Sequence, residues 1–191
     1  MEEAPFKRYF TEEEYLLIDR KAEARSEFHD GEMYAMATSG SFHGIISENL
    51  SGILYPVLKK KSCQAFSRYM RLSIPQKTAY TFPDFMIVRK TANWRALMDT
   101  DIISSPIIIV EILSKNTRGY DRGKKFELYK SIRSLKQYVL IDSTKNHSVE
   151  SFNKNDRGIW EQILYSQAAE ELQFPAINCC FSLAELYDGT F

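Results

Sequence analysis

Two carboxylates interrupt the most apolar stretches of this sequence. Asp84 follows a proline in TFPDFMIVRK (81–90), and Glu111 lies in the middle of SPIIIVEILSKNT (105–117). A buried carboxylate without a partner is costly, so each should be paired with a cation, a metal or hydrogen-bond donors. Two neighbouring carboxylates repel each other, and a shared Mg²⁺ would relieve that repulsion. The pattern therefore raises the possibility of a two-carboxylate metal site.

The segment YDRGKKFELYK (120–130) supplies a candidate cation. Asp121, Lys125 and Tyr129 are spaced four residues apart and should share one face of a helix. If Lys125 points toward the carboxylates, its ammonium could orient an attacking water and stabilise charge on a phosphoryl group. We therefore predict Asp84 and Glu111 as ligands of Mg²⁺ or Mn²⁺, and Lys125 as the residue that positions the water that hydrolyses a phosphodiester.

A purely structural interpretation stays open for each residue. Asp84 could cap a turn at Pro83, Glu111 could form a structural salt bridge with Lys125, and Lys125 could lie along apolar surface with its charge in water. Each is the simpler explanation for one residue alone. The three residues together favour a metal site, because paired like charges are costly to bury.

The first half of the chain should contain two helices and several strands. A capping box at Thr11 and Glu14 predicts a helix in TEEEYLLIDRKAEA (11–24), and Asp30-Gly31 predicts a hairpin in SEFHDGEMYAMAT (26–38). Apolar residues at helical spacing predict a long helix in FHGIISENLSGILYPVLKKK (42–61). The segments CQAFSRYMRLSIP (63–75) and AYTFPDFMIVR (79–89) each read as one strand.

The second half alternates in a similar way. We predict a loop with a helical turn in 91–101, a central strand in PIIIVEILS (106–114), a helix from about Asp121 to Ser131, and a buried strand in QYVLIDS (137–143). The segment 147–166 should form an antiparallel hairpin, and SLAELYDG (182–189) a short helix. This order predicts an α/β (α+β) fold, with a mixed sheet flanked by helices and extra β-hairpins at both ends.

Charge is balanced overall but segregated locally. The chain has 25 basic and 25 acidic residues, yet residues 115–136 hold eight bases against Asp121 and Glu127, and KKKSCQAFSRYMR (59–71) holds five bases and no acid. Such segments could bind phosphate or could simply be solvated. For a nucleic-acid surface we single out four residues: Lys115, Arg118, Arg122 and Lys124.

Other bulk features exclude some classes of protein. There is no apolar run long enough for a transmembrane helix, and the acidic start is unlike a signal peptide, so we expect a cytoplasmic protein. The three cysteines, Cys63, Cys179 and Cys180, lack the spacing of a zinc site, and we expect reduced, buried thiols.

The motifs FPDFMIV, IIIVEILSKNT and YDRGKKFELYKSIRSLKQYVLIDS together resemble the Uma-type restriction endonuclease family of the PD-(D/E)XK nuclease superfamily. The resemblance extends to RSEFHDGEMYAMATSGSFHGIISENL and LQFPAINCCFSLAELY, and so covers nearly the whole chain. It implies one restriction-endonuclease-like domain over 1–191, with an N-terminal helix and hairpin (1–42), a nuclease core (43–142) and a C-terminal β extension (143–191).

The resemblance also implies roles for residues. In the superfamily the Asp after Pro and the strand Glu bind Mg²⁺, which corresponds here to Asp84 and Glu111, and the backbone carbonyl of Ile112 is a further expected ligand. The usual lysine lies two residues after the Glu, where this chain has Leu113, and the family pattern places the lysine on the next helix at Lys125. The supporting positions in the family pattern are Glu27, His43, Asp121 and Tyr129.

Three functions follow as hypotheses. The first is a Mg²⁺-dependent endonuclease acting on DNA, expected from the resemblance to work as a homodimer. The second is a catalytically inactive nuclease-fold module that binds protein or nucleic acid. The third is an unrelated structural protein, since a fold does not fix a function. Metal binding that is lost on substitution of Asp84 would distinguish the first from the others.

Overall fold

The computed structural model describes residues 9–36, 40–91 and 100–191. Its helices are α1 (Glu12–Lys21), α2 (Ser41–Lys59), α3 (118–130) and α4 (Leu183–Leu186). The strands are β1 (Ser26–His29), β2 (Glu32–Ala35), β3 (Cys63–Ser67), β4 (Arg71–Ile74), β5 (Ala79–Thr81), β6 (Phe85–Arg89), β7 (Ile102–Ile103), β8 (Pro106–Leu113), β9 (Gln137–Asp142), β10 (Val149–Lys154), β11 (Trp160–Tyr165), β12 (Glu171–Phe174) and β13 (Cys179–Ser182). The predicted mixed α/β fold is confirmed.

A six-stranded sheet, here called the large sheet, forms the centre of the fold, with strand order β11-β10-β9-β8-β6-β3. The middle strands β8 and β9 are parallel, and every residue in both is buried. Parallel neighbours need a crossover connection, which α3 supplies. This topology explains why β8 and β9 read as continuous apolar runs rather than as alternating ones.

The two faces of the large sheet pack against different helices. On one face, Ile108, Val110 and Ile112 of β8 pack with α2 and with the C-terminal hairpin β12-β13. On the other face, Ile109 and Leu113 pack with α3. Since side chains alternate along a strand, Glu111 must point to the α3 face. The position of Glu111 in β8 therefore directs its carboxylate toward Lys125.

A five-stranded sheet, here called the small sheet, has strand order β2-β1-β5-β4-β7. The β1-β2 hairpin turns at Asp30 and Gly31, which both have positive φ, as predicted. Helix α1 begins with the predicted capping box and buries Tyr15 and Asp19. The buried guanidinium of Arg71 pairs with Asp19 and Asp101, and so ties α1 to β4 and to the segment before β7.

Two predicted strands are each broken in two. The segment 63–75 forms β3 in the large sheet and β4 in the small sheet, and 79–89 forms β5 and β6, also in different sheets. Asp84 therefore does not lie inside a strand but at the junction between the sheets. Pro83 explains the break, because it has no N–H for a ladder hydrogen bond and Pro favours the ends of strands.

Helix α3 begins earlier than predicted and is irregular. It is α-helical over Arg118–Tyr120, π-helical over Asp121–Lys125 and α-helical again over Phe126–Lys130. The predicted start at Asp121 is thus the start of the π-helical turn. Short π-helical turns are frequent at functional sites, and this one carries Asp121 and Lys125.

Several smaller predictions have clear outcomes. All three cysteines are free thiols, but only Cys63 is buried, so the prediction of burial was wrong for Cys179 and Cys180, which lie on the two-stranded hairpin. The predicted helical turn in 91–101 falls mostly at 92–99, outside the described residues. None of the described helices combines the length and the apolar character needed to span a membrane.

Candidate active site

Glu111 and Lys125 form the centre of the candidate site. The Lys125 Nζ lies 2.9 Å from Glu111 Oε1, and the same oxygen accepts a 2.8 Å hydrogen bond from the Tyr129 hydroxyl. Glu111 is 3% exposed and Lys125 5%. The spacing of Lys125 and Tyr129 along α3 therefore brings both donors to the carboxylate; the sequence predicted a shared helix face for the two residues but not the hydrogen bond from Tyr129.

Asp84 approaches Glu111 from the junction between the sheets. Its backbone N–H donates to Glu111 Oε2 at 3.3 Å. Its carboxylate Oδ2 accepts from the backbone N–H of Ile112 at 2.8 Å and lies 3.1 Å from His43 Nε2, in the first turn of α2. These contacts fix the carboxylate through one oxygen and hold β6, β8 and α2 together at one point.

Glu27 completes the group from the small sheet. Its Oε1 lies 3.0 Å from Lys125 Nζ and accepts from the backbone N–H of Phe82 at 3.2 Å. Its Oε2 accepts from the Tyr120 hydroxyl at 3.1 Å. Asp121 lies one helical turn before Lys125, with Oδ1 3.7 Å from Nζ. Lys125 is thus surrounded by three carboxylates.

Burial and charge shift the pKa values of this group in opposite directions. Burial raises the pKa of Glu111 well above its usual value, and it also raises the pKa of Asp121. Burial opposes a charge on Lys125, but Glu111, Glu27 and Asp121 raise its pKa well above the usual value. For Asp84, burial is outweighed by the hydrogen bond and charge of His43, so its pKa is lowered. Lys125 is therefore a fixed ammonium, and Asp84 a carboxylate.

The group borders a pocket of about 340 Å³, lined by Glu27, His43, Asp84, Glu111, Ile112, Asp121 and Lys125, with Tyr34, Arg68, Tyr120 and Lys124 around them. The structure thus brings together the predicted catalytic residues and the predicted ligand Ile112. Tyr129 does not line the pocket; it contacts Glu111 from the apolar core. Seven residues predicted from scattered positions therefore converge on one place: Glu27, His43, Asp84, Glu111, Asp121, Lys125 and Tyr129.

The residues present are compatible with a hard divalent cation. Four carboxyl groups, Glu27, Asp84, Glu111 and Asp121, face a single ammonium. Within the described part of the chain, no three His, Cys, Asp or Glu side chains are spaced so as to enclose a metal by themselves. An ion here would need water or phosphate oxygens as well, which is the usual coordination of Mg²⁺.

The four predicted nucleic-acid-binding residues lie in different environments. Lys124 lines the pocket, whereas Lys115 is exposed outside it. Arg118 Nη2 lies 3.4 Å from Asp142 Oδ1, and Arg122 Nη2 lies 2.5 Å from Glu150 Oε1. The two arginines are thus held against β9 and β10, and the structure brings only Lys124 of the four to the pocket.

Three residues around the pocket were missed by sequence reasoning, and the first of them, Tyr34, lies on β2 of the predicted hairpin. Tyr120 precedes the predicted helix start, and Arg68 lies in the turn between two strands that were read as one. A predicted strand break would have placed Arg68 in a turn, but its position at the pocket depends on how the elements pack. Leu113, two residues after Glu111, is fully buried among apolar side chains, and the ammonium that contacts Glu111 comes from Lys125 on α3.

Comparison with known proteins agrees with this architecture. The model of the Uma2 family, described as "Putative restriction endonuclease", matches residues 12–184. An uncharacterised protein of Synechocystis sp. is 33% identical over 186 residues, covering 97% of this chain and 95% of that protein. A second uncharacterised Synechocystis protein is 28% identical over 172 residues, covering 89% and 96%.

One solved structure is similar across nearly its whole length. It is the crystal structure of a protein from Anabaena variabilis described as a "putative nuclease belonging to DUF820". The TM-score is 0.75 with 17% sequence identity, and the match covers 93% of this chain and 97% of that one. At this level of identity the similarity shows a shared fold.

Proposed function

Because the chain belongs to the Uma2 family, we propose that it is a Mg²⁺-dependent endonuclease that hydrolyses phosphodiester bonds in DNA. The observation that carries this proposal is the convergence of Asp84, Glu111 and Lys125, from three separate elements, on one pocket. A purely structural salt bridge would need only Glu111 and Lys125. Burial and the additional carboxyl groups raise the pKa values of Glu111 and Asp121, and a divalent cation would stabilise their ionised forms.

The carboxylates of Asp84 and Glu111 would hold the ion, together with the backbone carbonyl of Ile112. When bound, Mg²⁺ supplies Lewis-acid activation of water and neutralises charge on the phosphate. Glu27 and Asp121 are the next nearest acids, and both are already within 3.7 Å of Lys125. Their first role in this proposal is to hold the ammonium in place.

Lys125 acts as a charged donor and not as a proton acceptor. Its pKa is raised by the surrounding carboxylates, so it keeps its proton at neutral pH. An ammonium fixed beside Glu111 can orient a water and stabilise negative charge that develops on the phosphoryl oxygens. The hydroxyl of Tyr129, on the same Glu111 oxygen, restricts the rotation of the carboxylate that Lys125 contacts.

Around this centre, His43 and the pocket edge have supporting roles. His43 and the Ile112 N–H both bind Asp84 Oδ2, so they orient the carboxylate and favour its ionised form. Lys124 and Arg68 line the same pocket and are suited to contact the DNA backbone, because phosphate contacts set the register of a bound strand.

The test combines metal binding with cleavage. Mg²⁺ and Mn²⁺ would be titrated by calorimetry into the wild type, into Asp84→Ala and into the control Asp156→Ala, which changes an exposed turn residue. We expect the wild type and the control to bind metal and to cleave DNA, and Asp84→Ala to lose both. Absence of metal binding in the folded wild-type protein would overturn the proposal.

A catalytically inactive binding module is the second candidate. The observation in its favour is that Lys125 already lies within 3.0 Å of both Glu27 and Glu111, so the central charges are partly compensated without a metal. For this candidate, DNA binding would be independent of Mg²⁺, and Asp84→Ala would leave it unchanged.

A further inference from the structure

A second cavity lies beside the candidate active site, between α2 and the edge strand β3. Its volume is about 630 Å³. We refer to it as the α2–β3 groove, and it is lined by Ser51, Gly52, Tyr55, Leu58 and Lys59 of α2, by the five residues of β3, and by Phe85 and Lys90. We propose that this groove binds a single strand of DNA and leads it to the active-site pocket, an inference that rests on the proposed nuclease function.

The charge of the groove is suited to a phosphate backbone. Lys59 and Lys90 line it, and among the described residues no acidic side chain does. In a chain with equal numbers of acids and bases, such a segregated surface attracts polyanions. The groove also includes the edge strand β3, which among the described residues pairs only with β6.

An exposed aromatic ring favours a single strand over a duplex. Tyr55 lines the groove with 68% of its surface exposed. Bases of a single strand can stack on such a ring, whereas the bases of a duplex are already stacked on one another. A positively charged groove with an aromatic platform is the usual arrangement in proteins that bind single strands without sequence preference.

Gly52 leaves space in the groove next to the backbone of α2. A glycine in the middle of α2 destabilises the helix relative to alanine, and a Cβ at this position would meet no atom of the described protein within 4 Å. Gly44 in the same helix is equally unobstructed but lines neither cavity, so an open Cβ position alone does not indicate a ligand. At Gly52 the missing side chain leaves the helix backbone open to a ligand in the groove.

The groove and the active-site pocket are lined by residues that are neighbours in the chain at two places. Ser67 and Phe85 are paired across β3 and β6, and both line the groove. The residues that adjoin them in the chain, Arg68 and Asp84, line the pocket. A strand that lies along β3 would therefore run toward Asp84, the proposed metal ligand.

Binding of a fluorescein-labelled mixed-sequence single strand, measured by anisotropy in EDTA, tests the groove without cleavage. Gly52→Leu places a side chain in the groove without a clash with the described protein. The control is Gly44→Leu, in the same helix, where a Cβ also meets nothing within 4 Å and which lines neither cavity. We expect Gly52→Leu to weaken binding at least about 10-fold with a melting temperature no lower than that of the wild type, and Gly44→Leu to bind like the wild type.

Two further variants separate stacking from charge. Tyr55→Ala should weaken single-strand binding by about 5- to 100-fold, from the loss of one stacked base. Lys59→Gln should lower the slope of log affinity against log salt by about 0.7, from the loss of one phosphate contact. Equal affinity for a matched duplex, or equal effects of Gly52→Leu and Gly44→Leu, would overturn the inference.

The same samples keep this inference distinct from the nuclease proposal. If the wild type cleaves DNA and Gly52→Leu binds single strands normally, the groove inference fails alone. If no protein cleaves but the groove variants bind weakly, the nuclease proposal fails and the groove remains a binding site. A change in the oligomeric state of Gly52→Leu, seen by size-exclusion chromatography without a change in DNA affinity, would identify the groove as an interface between copies and overturn the inference.

Discussion

The Nζ of Lys125 lies 2.9 Å from Glu111 Oε1, although the two residues belong to different elements, a helix and the central strand that precedes it. Both are almost completely buried, and Lys125 also contacts Glu27 at 3.0 Å. The ammonium is thus the cation that makes burial of these carboxylates tolerable. Its contributions to stability and to catalysis can be measured separately.

Replacement of Lys125 by Met should destabilise the protein strongly. The change leaves Glu111 and Glu27 buried without their shared cation, and breaking a buried ion pair costs about 3–5 kcal/mol. Urea unfolding of Lys125→Met would measure the loss, with the exposed Lys145→Met as a control that should change stability by less than about 0.5 kcal/mol. If the double variant Glu111→Gln/Lys125→Met were as unstable as the sum of the single variants, the two side chains would not be coupled.

Replacement of His43 should weaken metal binding without removing a ligand. His43 lies 3.1 Å from Asp84 Oδ2 and helps to lower the pKa of that carboxyl group. Loss of such a supporting hydrogen bond typically costs about 10- to 100-fold in metal affinity or activity. Calorimetry with Mn²⁺ should show this loss in His43→Ala and partial recovery in His43→Gln. Unchanged affinity in a folded His43→Ala protein would exclude a positioning role.

The environment of Asp101 should make stability depend on acid pH. Hydrogen bonds from Arg20 and Arg71 outweigh partial burial and lower the pKa of Asp101 to about 2. Because the folded pKa lies below the unfolded one, the stabilisation is fully present above about pH 4 and is lost as the pH falls toward 2. Since Asp101 is more than one third exposed, we expect its ionisation to contribute less than about 1 kcal/mol to the free energy of unfolding.

Urea unfolding between pH 2 and 6 tests this expectation. The variant Asp101→Asn should be less stable than the wild type at pH 6 and should approach it at the acid end. The exposed control Asp156→Asn should follow the wild type throughout. If Asp101→Asn and the wild type had the same stability at every pH, Asp101 would not be the source of the pH dependence.

The basic residues of α3 should differ in their contribution to DNA binding. Lys124 lines the pocket, whereas Arg122 is paired with Glu150 on β10. We therefore expect Lys124→Gln to reduce the salt dependence of DNA affinity by about one phosphate contact, and Arg122→Gln to leave it unchanged. Anisotropy titrations at several salt concentrations would distinguish the two. If Arg122→Gln reduced the salt dependence and Lys124→Gln did not, Arg122 would leave Glu150 and contact a phosphate when DNA binds.

The sequence alone determined several elements of this protein and identified the carboxyl groups and the lysine of the candidate site. The capping box of α1, the Asp30-Gly31 turn and the apolar spacing of α2 are local signals, and each was sufficient to predict its element. The apolar run of β8 also identified the central strand, and Glu111 was conspicuous within it because a charge there needs a partner. These signals are readable because they depend on residues that are near one another in the chain.

Only the tertiary structure decided how these elements combine. The break at Pro83 assigns β5 and β6 to different sheets and places Asp84 at their junction, and the strand pairing brings Glu27 from the first hairpin to Lys125 on α3. The pairing of Arg118 and Arg122 with Asp142 and Glu150 depends likewise on how α3 crosses the sheet. Contacts between distant segments arise from packing and strand order, which no local pattern encodes. For this reason the sequence showed how many basic residues α3 contains but not which of them pair with acidic side chains and which face the pocket.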